Sequence, residues 1–91
     1  MEHISSIIIA FIEENMKERG LSPYRTDDEK ILVLDGDYAT CFKFDIVFSD
    51  NDFSCSVLSK GENGLHLRRH FNISWTNAAE IREFMEFVRA L

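Results

Sequence analysis

Tyr38-Ala39-Thr40-Cys41-Phe42-Lys43-Phe44-Asp45-Ile46-Val47-Phe48 is the stretch that decides the fold. Phe42, Phe44, Ile46 and Phe48 recur at every second position, with Cys41, Lys43 and Asp45 between them. Successive side chains leave a β-strand on opposite faces, so this period predicts a strand over 38–48 with an aromatic inner face that includes Tyr38 and Thr40. On its N-terminal side, Ile31 to Leu34 is a short apolar run followed by Asp35-Gly36-Asp37, and Asp-Gly between apolar runs signals a hairpin. On its C-terminal side, Ser49-Asp50-Asn51-Asp52 predicts a turn into a third strand, Phe53 to Ser59, with Phe53, Cys55 and Val57 on one face. Lys60-Gly61-Glu62-Asn63-Gly64 turns the chain again into a fourth strand, Leu65 to Ile73. There Leu65, Leu67, Phe71 and Ile73 are expected on the apolar face and His66, Arg68, His70 and Asn72 opposite, with Arg69 as a defect in the apolar row.

The flanks read as helices. Ile4, Ile7, Ile8, Phe11, Ile12 and Met16 form one stripe at helical spacing over 3–19, with Ile9 off it, and Gly20 supplies the stop that would fold Leu21 back onto Met16. Ala78, Ile81, Phe84, Met85 and Val88 form a second stripe over 77–90, opened by Asn77 with Glu80 three residues on, and Phe87 lies off that stripe. Ser22 to Lys30, with the only proline, reads as a polar loop. The expected architecture is an α+β two-layer sandwich in the order α-β-β-β-β-α: a four-stranded antiparallel meander covered on one face by the N- and C-terminal helices, in one domain spanning 1–91.

Composition bounds the function. In 91 residues, 16 Asp+Glu outweigh 10 Lys+Arg, a formal charge of −6, and the pI is near 4.9. This excludes a multidomain enzyme, a membrane span and a broadly basic nucleic-acid binder, and direct nucleic-acid binding is not expected. The run Ile7 to Phe11 has no basic leader and meets Glu13-Glu14 at once, so it reads as a core helix and not as a signal or span. A cytoplasmic setting with Cys41 and Cys55 reduced is the expectation.

Four constellations can be weighed. Asp35/Asp37 and Asp50/Asp52 have the spacing of paired carboxylates, but turns prefer these residues and no complete cation loop is present, so no metal is expected. With Asp27-Asp28-Glu29 they are candidate acidic steering loops for a basic partner. His66, Arg68 and His70, with Arg69 beside them, form a basic row in an acidic chain, a candidate patch for an anion or an acidic partner, or a set of structural cross-strand pairs. Cys41, Cys55, His66 and His70 lack the close cysteine spacing of a zinc site, and no base and orienting group mark a nucleophile; no catalytic residue and no cofactor are expected. Ile9, Trp75 and Phe87 are candidate interface apolars, and a chain of this size buries only about 60–65 % of its unfolded surface, so a homodimer is an expected state.

The element order is similar in outline to small acidic secretion-chaperone-like domains, and the composition resembles the small acidic proteins by which phages and other mobile elements block host machinery; no motif residue carries over from either. The reading is a small acidic, non-enzymatic protein-binding domain, an adaptor, chaperone or inhibitor acting through a sheet face or edge. The alternative is a small-ligand or anion-binding regulator built on His66, Arg68 and His70.

Overall fold

The computed structural model describes residues 2–26 and 30–91, with side chains from Ser5 onward. The side chain of Ile4, expected in the first stripe, and Asp27, Asp28 and Glu29 lie outside the described residues. Helix α1 (Glu2–Glu18) is followed by strands β1 (Ser22–Arg25), β2 (Ile31–Leu34), β3 (Thr40–Phe48), β4 (Asp52–Gly61) and β5 (Gly64–Ser74), then helix α2 (Ala78–Ala90). The five strands pair antiparallel in chain order, β1-β2-β3-β4-β5.

The sheet therefore has one strand more than the sequence reading allowed. Ser22 to Arg25, read there as loop, pairs with β2 at the sheet's edge, Pro23 opposite Val33 and Arg25 opposite Ile31. Proline cannot donate to a ladder, but an edge strand has one side with no ladder to serve, so Pro23 is tolerated there. The start of β3 is also corrected. Tyr38 belongs to the β2–β3 turn, with φ +60° and 84 % of its surface exposed, and it contributes nothing to the inner face.

Both helices lie on one side of the sheet and close a single core. Ile8, Ile12 and Met16 of α1 and Phe84 and Val88 of α2 are buried with Val33, Phe44, Cys55, Val57 and Ile73. The α1 stripe is rotated from its expected position: Ile7 is 63 % exposed, whereas Ile9 packs against the core. Gly20 ends α1 at φ +79°; its N–H donates to Lys17 O and that of Leu21 to Met16 O, the paired bonds of a Schellman stop. At α2 the Asn77 side chain accepts from the Glu80 N–H at 3.1 Å, while Glu80 reaches back to the Ser74 N–H rather than to that of Asn77. The last carbonyls of α2, Val88 O and Arg89 O, accept from the Arg19 guanidinium, which supplies partners that a helix C-terminus otherwise lacks.

Candidate functional site

The basic row does not exist as one surface. β5 carries a bulge: Val57 of β4 pairs with Arg69, but the next residue, Leu58, pairs with Leu67, leaving Arg68 as the extra residue. A single extra residue reverses the face of everything beyond it. Leu65 and Leu67, expected in the core, stand on the side away from the helices, opposite Lys60 and Leu58. His66 turns to the helix side opposite the buried Ser59. A Cβ on Gly61 would lie 2.1 Å from the His66 ring, so any larger residue there would need that exposed ring to turn aside. Arg68 donates to the Ser59 hydroxyl at 3.4 Å. Arg69 ion-pairs with Glu83 of α2, with its guanidinium 4.5 Å from the centre of the Phe71 ring and 5.7 Å from that of Phe87. The defect in the apolar row is thus a tie between sheet and helix. His70 faces the opposite side, its Nδ1 hydrogen-bonded to the Ser56 hydroxyl at 2.8 Å.

The acidic turns sit at opposite ends of the sheet, the Asp35–Asp37 turn where β3 begins and the Asp50 turn where it ends, so these carboxylates do not form one steering surface. Asp35 Oδ1 accepts from the N–H groups of Asp37 at 2.8 Å and Ala39 at 3.2 Å. These two bonds hold its pKa below the ordinary carboxylate value. Asp52 accepts from the Ser49 hydroxyl across the β3–β4 turn. The three candidate interface apolars, Ile9 on α1, Trp75 between β5 and α2 and Phe87 on α2, are half-buried against the core. Trp75 stacks on Phe48 at 6.0 Å and donates its indole N–H to Ser49 O at 2.8 Å. Phe87 meets Phe71 edge-on at 5.3 Å. Cys55 is wholly buried, and burial pushes its thiol up to about 12. Cys41, the extra residue of a second bulge against β2, is raised as well, again chiefly by burial.

What the sequence reading missed is the apolar row on the other face of the sheet. In register across all five strands stand Tyr24, Leu32, Lys43, Leu58 and Leu67, all on the side without helices. Leu34 and Leu65 extend this row toward the β2–β3 and β4–β5 turns. The other half of the same face is polar: Asp45, Ser56 and His70 form one row, and Val47, with Ser54 and Asn72, the next. Tyr24 is 44 % and Leu67 61 % exposed. A solvated antiparallel sheet face is ordinarily polar; a row of Tyr24, Leu32, Leu58 and Leu67, broken only by Lys43, is the kind of exposed apolar strip that marks an interaction surface. One signal was readable: Ile31-Leu32-Val33-Leu34 is apolar at every position, the pattern of a strand contacted on both faces.

The polar half has the residue types of a hydrolytic triad in the wrong order. Asp45 stands opposite Ser56, and Ser56 opposite His70, so the carboxylate neighbours the hydroxyl and does not orient the imidazole. A cavity of about 280 Å³ lies elsewhere, between the start of α1 and the strands, lined by Ser5, Ser6, Ile9, Arg25, Ile31 and Phe48 among others; Arg25, its one cation among the described residues, is engaged by Glu13 at 3.2 Å. Among the described residues no group of histidine, cysteine and carboxylate side chains could hold a metal ion, and no helix is long and apolar enough to cross a membrane. No family model, curated protein or solved structure matches this chain.

Proposed function

We propose that this chain is a non-enzymatic protein-binding domain that holds or blocks another protein on the face of the sheet away from its helices. One observation carries the reading: both helices bury the same side of the sheet, and the side they leave bare carries one row across all five strands, from Tyr24 to Leu67, that is apolar but for Lys43. Burying exposed apolar area is the main favourable term in most protein–protein association. Acidic groups on the rest of the surface, within a net −6, would speed encounter with a basic partner surface without supplying the seat itself. Purified protein immobilised against a cell extract tests this. The partner retained by the native chain is expected to be lost with Leu58→Asn/Leu67→Asn, which changes the bare face alone, and kept with Glu14→Lys on the exposed side of α1. Retention by the double variant refutes the reading.

A further inference from the structure

We infer that the occupant of the bare face is an apolar segment of a different protein bearing an Asp or Glu, because Lys43 stands in the middle of the apolar row, flanked across the strands by Leu32 and Leu58. The inference rests on the proposed function and adds the chemistry of the partner.

Lys43 lies on the central strand of the five and is half-buried. Among the described residues it makes no ion pair: the nearest acid along its own face, Asp45, is taken by Lys30 at 3.6 Å. Any partner that covers Leu32 and Leu58 also lies over Lys43, which stands between them in the register. A charge taken out of water without a counter-charge costs far more than the leucines return. The occupant must therefore bring a carboxylate to that point, with apolar side chains on either side of it to meet Leu58 and Leu32.

A second copy of the chain fits poorly. The row from Tyr24 to Leu67 holds no Asp or Glu, so stacking it on its own copy brings no carboxylate to Lys43, and a two-fold axis over β3 and parallel to the strands lays β3 on its own copy. Lys43 then faces Lys43, two like charges in the most enclosed part of the contact. The lower half offers Asp45, but a rotation bringing Asp45 over Lys43 lays the leucines on Ser56 and His70.

The test is selection of random 16-residue peptides displayed on particles against the folded native chain, followed by affinities of the selected peptides for variants. Expected are peptides combining Leu, Ile or Phe with Asp or Glu. Lys43→Glu is expected to weaken them by about thirtyfold or more, Lys43→Met by less. Selection on Lys43→Glu is expected to return peptides bearing Lys or Arg. Leu58→Asn/Leu67→Asn should abolish both sets. Peptides that need Leu58 and Leu67 but show no acidic preference and survive Lys43→Glu overturn the inference while leaving the proposed face intact. Peptides indifferent to Leu58 and Leu67 overturn both. A native chain that sediments as a dimer at micromolar concentration, and as a monomer once Leu58 and Leu67 are changed, also overturns it, in favour of a second copy.

Discussion

Deleting Arg68 separates the observed β5 from the strand its sequence suggests. In strict alternation, removing one residue shifts every side chain on one side of the cut to the opposite face. Leu65 and Leu67 would pass from core to water, a loss of about 1.5–3 kcal/mol each, or roughly 3–6 kcal/mol together. In the structure Arg68 is the residue that has no cross-strand partner. Its deletion joins Leu67 directly to Arg69, and these already face the adjacent residues Leu58 and Val57. The pairs Ser59–His66 and Lys60–Leu65 are likewise kept. What is lost is the bond from Arg68 to the buried Ser59 hydroxyl, about 1 kcal/mol, partly offset by closing the ladder. The shortened chain is therefore expected to fold with a stability loss below about 2 kcal/mol. Urea unfolding followed by the fluorescence of Trp75, the only tryptophan, measures this directly, since its indole packs on Phe53 at 4.8 Å and is freed on unfolding. A loss above about 3 kcal/mol, the range expected for two leucines leaving the core, refutes the bulge.

Tyr38→Gly should raise stability by about 0.5–1 kcal/mol, because a left-handed backbone favours glycine and the exposed ring leaves no packing behind; a fall in the urea midpoint would contradict this. Phe84→Ala removes a wholly buried ring set edge-on to Phe53 at 5.5 Å and Phe71 at 5.1 Å, and should cost about 3–5 kcal/mol by the same measurement. Iodoacetamide at pH 8 should modify Cys41 in the native chain and Cys55 only on unfolding, as mass spectrometry of digested samples would show. Cys55 also sets a pH dependence. Its folded pKa of about 12 exceeds the ordinary value of 9.0, so the unfolded chain releases the proton first and stability falls as pH rises from 9.0 toward 12. Cys55→Val should remove that component of the slope in alkaline denaturation.

Periodicity made β3 and β4 legible, because Phe42 to Phe48 and Phe53 to Val57 keep their alternation without interruption. The Gly20 stop was legible too, since only a few residue types suit that backbone. β1 was not: four residues with a proline carry no alternation, and their strand character comes from pairing with β2. The bulge at Arg68 was hidden because alternation was extended through it; adjacent Arg68 and Arg69 were its one trace. Missing it hid the bare face as well, by assigning Leu65 and Leu67 to the core. The basic row failed for the same reason, being a product of counting by twos across a residue that does not count.

The bonds from Arg19 to the final carbonyls of α2 join positions 69 and 70 residues apart in sequence. The two ends of the described fold are thus clasped to each other, and any change that frees Arg19 also leaves the last turn of α2 without those partners.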